Sequence, residues 1–398
     1  MTKLNKKIFG TLFFSIFAAV TGVGIVVPLL PVFAHDLGAG GLYIGMIFGS
    51  FSLSRTLLLP WFGKWSDRRG RKPFIVTGLF AYALISVAFT FSESVEGLIL
   101  VRFFQGAASA MIMPVTQAYI GDITPEGREG FTMGLFNLSM FASLSIGPLL
   151  GGFINEAFSL KATFVAMGLL SLVGFFLSLV FLPPTASEAA SQSAEEEASW
   201  RALVSGRGLI GLFGFRFVYT TCIGIVWCFL PVLCSATFHL SSATIGILVT
   251  LGVVTSGALN TPMGWLADRW DRRAMVVVGG GIVSVALFSI EWAGGFSDLF
   301  WSLLFFGIGG GVAMPALMAM AVREGTRTSA MGAVMAIMTM GHSLGMLTGS
   351  VVAGLAMDFF ELRHAFPMGA LIMAAGTLFF FLAVSTADPA EGVREEEG

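Results

Sequence analysis

Charged side chains are scarce in this sequence. Only 12% of the 398 residues are Asp, Glu, Lys or Arg, whereas 56% are hydrophobic and the mean hydropathy is +0.86. A water-soluble domain cannot bury that much apolar surface, so the composition excludes an ordinary soluble protein. The formal net charge of −2 gives no sign of a nucleic-acid partner. We therefore predict an integral membrane protein that is embedded in the lipid bilayer and binds no nucleic acid.

Cysteine and histidine are also rare, with three and four copies. Cys222, Cys228 and Cys234 lie in one apolar stretch at six-residue spacing, which does not place them on one helical face, and no CxxC pair occurs. This pattern indicates apolar packing rather than a metal site or a disulfide. An enzyme would need a nucleophile with its base, or clustered metal ligands. We therefore expect no catalytic residues, no metal and no cofactor, and we predict that the protein is not an enzyme.

Long apolar stretches are abundant. A membrane helix needs roughly 20 apolar residues, and continuous glycine-rich runs favour helices over the alternating strands of a β-barrel. We predict an all-α integral membrane fold with twelve transmembrane helices, called spans 1 to 12, at 8–34, 41–62, 73–92, 97–121, 131–155, 162–182, 208–235, 243–263, 274–293, 299–322, 329–357 and 364–386.

The distribution of basic residues predicts the orientation. If the N-terminus is cytoplasmic, Lys161 and Arg363 are the basic residues in loops on the opposite side, while the other loops and the termini hold most of the 22 Lys and Arg residues. Basic loops stay in the cytoplasm. We predict that both termini are cytoplasmic and that the membrane is a bacterial inner (plasma) membrane.

The chain also repeats itself. A shift of 201 residues places Gly45 on Gly246, Asp67 on Asp268 and Pro114 on Pro315. Two six-helix pseudo-repeats explain this, with halves at 1–182 and 208–386. The polar stretch at 183–207 is predicted to be a flexible cytoplasmic linker, and 387–398 an acidic cytoplasmic tail. Duplicated halves of this kind are typical of secondary transporters.

Charge concentrates in "GKWSDRRGRKP" at 63–73, and the pattern returns as "GWLADRWDRRA" at 264–274. Gly63 and Gly70 predict a tight turn between two helices. Asp67 would lie near helix ends, where an anion is stabilising, and could pair with Arg71. Contacts of this kind would favour one of two conformations, which predicts a cytoplasmic gate rather than a substrate site. Cations such as Arg69 and Lys72 could instead serve only to set the topology.

Segment 63–73 resembles the signature G-x-x-x-D-R-x-G-R-R/K of the major facilitator superfamily, with every position filled; the second copy has Asp271 in place of Gly70. The resemblance implies the major facilitator fold. It also implies a cytoplasmic latch in which Asp67 contacts the start of span 11, near Thr328–Met331. Asp122 and Arg128, in "GDITPEGREG", resemble a further part of this charge network, although a simple helix stop would explain them equally well. The predicted gate comprises Gly63, Asp67, Arg68, Gly70, Arg71, Gly264, Asp268, Arg269, Arg272, Asp122 and Arg128.

Span 4 carries "VRFFQG" at 101–106. Arg102, Gln105 and Ser109 share one helical face, and an arginine inside a bilayer is costly and usually functional. The second half has Leu303 and Phe306 at the positions that match Arg102 and Gln105. The stretch resembles the R-x-x-Q-G signature of proton-coupled antiporters, which implies a role in coupling. The alternative is an arginine that snorkels to the outer interface.

Span 5 carries "SLSIGPLLGG" at 143–152, in which Gly147, Pro148, Gly151 and Gly152 predict a kink and a smooth face for close helix packing. It resembles the helix-5 motif of the 12-helix drug:proton antiporter (multidrug efflux) family, with Ser143 in place of the leading glycine. A generic packing motif is the alternative.

Few polar residues lie deep in the spans. Arg55, Asn137, Arg216 and Trp227 are candidates for substrate binding, and His342 for carrying a proton. Each has a structural alternative: Arg216 could snorkel, Asn137 could bridge helices, Trp227 could face lipid or the core, and His342 could be a packing residue. No carboxylate lies in the middle of span 1, 4 or 7, and this absence argues against organic cations as substrates.

These patterns predict a secondary active transporter working by alternating access. We expect it to be a monomer that exports small neutral or anionic amphipathic compounds in exchange for protons. The alternative is a lipid or glycolipid flippase, or a sugar or metabolite transporter, of the same fold.

Overall fold

The computed structural model describes residues 6–124, 129–184, 207–328 and 331–385. Within these residues, twelve helical spans are long and apolar enough to cross a membrane, which confirms the predicted number. Most of the predicted linker and the whole predicted tail lie outside the described residues. The spans run over Lys6–Asp36, Gly41–Arg69, Arg71–Thr90, Val95–Ile123, Glu129–Ala157, Leu160–Phe181, Arg207–Ala236, Ser242–Ala267, Arg272–Ser289, Phe296–Arg327, Met331–Phe359 and Ala365–Ser385.

Span 1 is interrupted near its end. It consists of two helices, Lys6–Val26 and Leu30–Asp36, joined by a turn. Pro28 lies in that turn and has no N–H to donate to the preceding helix, and Pro31 occupies the first turn of the second helix, where proline is tolerated.

Span 2 extends beyond the predicted boundary, and this corrects the interpretation of Gly63. The helix continues to Arg69, so Gly63 lies inside it and forms no turn. One glycine within a helix costs only about 1 kcal/mol, and the residues after it are adequate helix formers. The turn falls at Gly70 alone, whose φ of 87° and ψ of 156° favour glycine.

The described residues pack into two compact units. The first contains the six spans of the first half together with 226–254 and 350–362; the second contains the remaining parts of spans 7 to 12. In the first unit, span 1 packs on spans 5 and 6, span 2 on span 4, and span 3 on spans 4 and 6.

The second unit repeats these pairings six spans later. Span 9 packs on spans 10 and 12. Gly311 of span 10 contacts Leu259 of span 8, and Gly345 of span 11 contacts Thr220 of span 7. The internal repeat predicted from the sequence is therefore also a repeat of helix packing.

Candidate functional site

Arg71 is the centre of the charge network in segment 63–73. Its Nη1 donates to Asp67 Oδ1, one helical turn earlier, and to the hydroxyl of Ser66 at 2.8 Å. Its Nε donates to Asp122 Oδ2 at 3.2 Å. Ser66 is buried, whereas both carboxylates are half exposed. One guanidinium therefore ties the end of span 2 to the end of span 4.

The counterpart at 264–274 is a looser arrangement. Arg272 Nη2 lies 3.8 Å from Asp268 Oδ1, and its Nε donates to the carbonyl of Ala267 at 2.8 Å. Arg269 packs over the ring of Trp265, with 3.9 Å from Cζ to the ring centroid. Asp271 replaces the turn glycine and caps span 9 by accepting from the N–H of Arg273 at 2.8 Å.

Some predicted gate residues make no such contact with the residues that the structure describes. Arg68 is exposed, and the position of a Cβ on Gly63 is open space. A Cβ on Gly264 would lie 4.0 Å from Pro315 Cβ. Arg128 lies outside the described residues. So do residues 329–330, which belong to the segment predicted to contact Asp67. The roles of all these residues in gating stay predictions.

Arg102 is enclosed by protein in span 4. It is 3% exposed, and its Nη1 donates to Gln105 Oε1 at 2.7 Å. Its Cζ lies 4.9 and 4.5 Å from the ring centroids of Phe48 and Phe51, which both belong to span 2. These contacts hold the charge inside the unit and do not agree with a snorkelling side chain. Among the described ion pairs, none includes Arg102, so aromatic faces and an amide take the place of a counter-ion.

The helix-5 motif brings backbones close together. A Cβ on Gly151 would overlap the carbonyl oxygen of Ile25 in span 1, and a Cβ on Gly152 would overlap that of Ser242 at the start of span 8. Gly147 packs against Gly24, with Pro148 beside it. The motif is therefore a close-packing surface facing two spans, as its small residues predict.

Arg55 belongs to a polar cluster of spans 2, 3 and 4. Tyr82 is buried and lies within electrostatic range of both Arg55 and Arg102. The Nε of Arg55 is buried and has no hydrogen-bond partner among the described residues. Sequence reasoning missed Tyr82 because a single tyrosine in an apolar span gives no periodic signal.

Arg216 occupies a similar setting in the second unit. Its Nη1 lies 2.9 Å from Met314 Sδ, and its Nη2 lies 3.4 Å from His342 Nδ1. The neighbouring Tyr219 is buried and interacts with it electrostatically. The Nε of Arg216 is also buried without a hydrogen-bond partner among the residues described. The structure thus brings together Arg216 and His342, which the sequence named separately.

Two candidates remain apart from these clusters. Trp227 is half-buried in span 7 and belongs to the first unit, and the side chain of Asn137 lies outside the described residues. The three cysteines are buried free thiols, as expected for packing residues.

An apolar groove of about 840 Å³ lies between spans 9 and 10, and it contains none of the predicted site residues. It is lined by Val278, Gly281, Ile282, Val285, Ala286, Ser289, Trp292, Asp298, Trp301, Ser302 and Phe305.

Comparison with known families identifies the fold. The Major Facilitator Superfamily profile matches residues 12–226 and 212–398, which together cover nearly the whole chain. The chain belongs to the major facilitator superfamily. This confirms the family resemblance of segment 63–73 and the twelve-span, two-repeat architecture of this transporter.

Two relatives show how far the similarity extends. This superfamily member is 26% identical over 398 residues to an uncharacterised MFS-type transporter of Methanocaldococcus jannaschii, with 96% of this chain and 100% of the relative covered. It is 29% identical over 228 residues to the quinolone resistance protein NorA of Staphylococcus aureus, with 54% of this chain and 58% of NorA covered. The chain thus matches little more than half the length of NorA.

Solved structures of other transporters share the fold. The nucleoside transporter NupG gives a TM-score of 0.80 at 12% identity, covering 94% of this chain and 99% of that one. A bacterial homologue of the human lysosomal transporter Spinster gives 0.80 at 14%, covering 98% and 100%. The human organic anion transporter MFSD10 gives 0.65 at 17%, covering 95% and 100%. At these identities the likeness shows the fold alone.

Proposed function

We propose that this major facilitator transporter exports small neutral or anionic amphipathic compounds in exchange for protons, and that it does so by alternating access. The similarity of about half the chain to NorA supports export of drug-like compounds. The close packing of the helix-5 motif against spans 1 and 8 supports the antiporter resemblance. The protein would act as a monomer in a bacterial inner membrane, with both termini in the cytoplasm.

One observation in each unit supports the proposed charge of the substrate. Arg55 and Arg216 lie well inside their spans, and each has a buried Nε without a partner among the described residues. A guanidinium has five donors that match a carboxylate or phosphate. Spare donors on a charged group inside a membrane favour an anionic or hydrogen-bond-accepting substrate over a cationic one.

Proton coupling would depend on different groups. Arg102 donates to the neutral amide of Gln105 within span 4, and His342 is a half-buried imidazole beside Arg216. Of these three side-chain types, only the imidazole has an ordinary pKa near neutrality, so His342 is the proposed proton carrier. Arg102 would tune the electrostatics of the first unit.

The test is transport in proteoliposomes that contain a pH-sensitive dye. A proton gradient is imposed, and cationic, neutral and anionic amphipaths of similar size are added to the unaltered protein, Arg55→Gln, Arg216→Gln and His342→Gln. Lys161→Gln, which removes an exposed cation at the start of span 6, is the matched control. We expect the anionic substrate to drive proton movement, and about a tenfold loss of that flux in either arginine variant, the effect of roughly 1.4 kcal/mol.

Three results would contradict the proposal. Transport of cations alone would refute the assigned charge class, and unchanged anion transport in both arginine variants would refute the assigned residues. Substrate movement without protons would refute antiport and favour a facilitator. Transbilayer movement of a fluorescent lipid would then favour the flippase.

A further inference from the structure

Two carboxylates at one end of the first compact unit cap helices that belong to the other half of the sequence. Asp358, at the end of span 11, accepts from the backbone N–H of Gly41 at 2.6 Å and of Leu42 at 2.8 Å, the first residues of span 2. Glu156, at the end of span 5, accepts from the N–H of Ala243 at 3.1 Å, in the first turn of span 8. All of these residues belong to the first unit.

These contacts are stabilising for a known physical reason. The first N–H groups of a helix have no partner within the helix and carry partial positive charge, so a carboxylate there forms charge-assisted hydrogen bonds. Span 2 begins after Gly40, which has no side chain to cap it, so Asp358 supplies the cap from a distant part of the chain. Span 8 has a local cap, since the Ser241 hydroxyl accepts from the N–H of Thr244 at 3.4 Å.

The backbones are packed closely at both places. A Cβ on Gly41 would overlap the carbonyl oxygen of Gly354, and a Cβ on Gly354 would overlap that of Gly41. Beside the second cap, Gly152 packs on the carbonyl of Ser242, and the Asn155 amide donates to the Ser242 hydroxyl at 2.7 Å. Each carboxylate therefore lies beside a place where the backbones of two spans are already closely packed.

The two caps are related by the internal repeat. The shift of 201 residues places Gly41 on Ser242, and it places Glu156 on Met357, next to Asp358. Each cap also joins one span of the first half to one span of the second half, span 2 to span 11 and span 5 to span 8. Because span 2 runs from Gly41 to Arg69, this end is opposite to Asp67 and segment 63–73.

We propose that Asp358 and Glu156 are the latch that holds the transporter closed at the end opposite to segment 63–73. The inference rests on the proposed alternating access, because opening at this end must separate spans 2 and 11 and spans 5 and 8. Both carboxylates are exposed, so water can solvate them when the caps break, and the latch is reversible. Asp358 is the stronger element because it makes two hydrogen bonds to a helix whose own N-cap residue has no side chain.

The test measures distances between spin labels by electron paramagnetic resonance on the full chain in lipid. Cysteines introduced at the exposed positions Tyr43 and Phe359 report on spans 2 and 11; those at Phe153 and Ile247 report on spans 5 and 8. The chain without introduced cysteines checks that the three buried native thiols do not react. Each label pair is combined with Asp358→Asn or Glu156→Gln, which keep the side-chain size and remove the charge.

We expect Asp358→Asn to raise the ratio of open to closed populations about two- to fivefold, and Glu156→Gln to raise it less. The matched controls Asp36→Asn and Glu361→Gln remove exposed acids at the same end and should leave the distances unchanged. Asp358→Glu, which retains the charge, should recover part of the closed population. If Asp358→Asn does not fold, Glu156→Gln decides the result.

Distances in both amide variants that equal those of the controls would overturn the latch. The measurement needs neither substrate nor protons. The latch can therefore be tested even if the transport assay finds no anion export. Conversely, unchanged distances would not contradict the assigned substrate class.

Discussion

The two charged segments, 63–73 and 264–274, occupy equivalent places in the two repeats but are built differently. Arg71 contacts Ser66, Asp67 and Asp122, whereas Arg272 has one carboxylate at 3.8 Å and a backbone carbonyl. The position that matches Asp122 in the second repeat is Arg323, which cannot supply a second carboxylate. Both copies thus form a helix–turn–helix, while among the described residues the contact between Arg71 and Asp122 has no counterpart at Arg272.

Spans 4 and 10 also differ in polarity, and again the first repeat is the more polar one. Arg102 and Gln105 form a buried polar pair, while the matching Leu303 and Phe306 are buried apolar residues. Phe306 stacks on Tyr219 at 6.3 Å between ring centroids. At this one position, therefore, the first half contains a buried charge and the second half an apolar core.

The largest expected effect is that of Arg102→Ala. Hydrogen bonds to charged groups are worth about 1.5–3 kcal/mol, and this variant also leaves Gln105 Oε1 without its donor. We expect substrate-driven proton flux, normalised to folded protein, to fall about tenfold or more. Leu303→Ala is the matched control, because it opens a cavity at the equivalent position without removing charge. Equal losses in the two variants would show that the asymmetry between spans 4 and 10 has no functional meaning.

The next effect separates the two charged segments. Asp67→Asn removes a member of the Arg71 network, and Asp268→Asn removes the partner of a longer and more exposed pair. We expect the transport rate to fall about three- to tenfold for Asp67→Asn and less than about twofold for Asp268→Asn, in line with the small worth of exposed ion pairs. Initial rates in proteoliposomes measure both, and a larger effect at Asp268 would reverse the comparison.

A smaller effect concerns the turns. Gly70 adopts φ 87° and ψ 156°, so Gly70→Ala should lower the free energy of unfolding by about 1–3 kcal/mol. Gly63→Ala is the control, because Gly63 is helical and a Cβ there meets open space; it should be neutral or stabilising by up to about 1 kcal/mol. Unfolding in mixed detergent micelles measures the difference, and equal stabilities would contradict the strained turn.

The smallest expected effect concerns Asp271, which caps span 9 and stands in the second copy where the first has Gly70. Asp271→Ala removes the acceptor for the N–H of Arg273 and should cost about 1 kcal/mol in the same unfolding assay. Asp271→Ser keeps an oxygen acceptor and should recover most of the stability. A variant Asp271→Ala as stable as the unaltered protein would show that the second turn does not depend on its cap.

Sequence patterns predicted the architecture well, for reasons visible in particular elements. All twelve predicted spans are present in the described residues. They could be predicted because the thickness of the bilayer sets the length of the apolar run that a spanning helix needs. The predicted end of span 2 was wrong, because hydropathy falls near Gly63 while the helix continues to Arg69. Within the site, the Arg71–Asp67 contact could be predicted because the two residues are one helical turn apart. The aromatic faces around Arg102 could not, because Phe48 and Phe51 lie in another span.

By itself, the sequence determined the membrane class, the twelve spans, the repeat and the superfamily, since each depends on the composition or spacing of contiguous residues. Only the tertiary structure decided which buried arginines have an Nε without a partner among the described residues. It alone revealed the caps, because Gly41 and Asp358 are 317 residues apart along the chain. A carboxylate and a backbone N–H leave no mark of their pairing in the sequence, and only the packing of spans brings them within hydrogen-bonding distance.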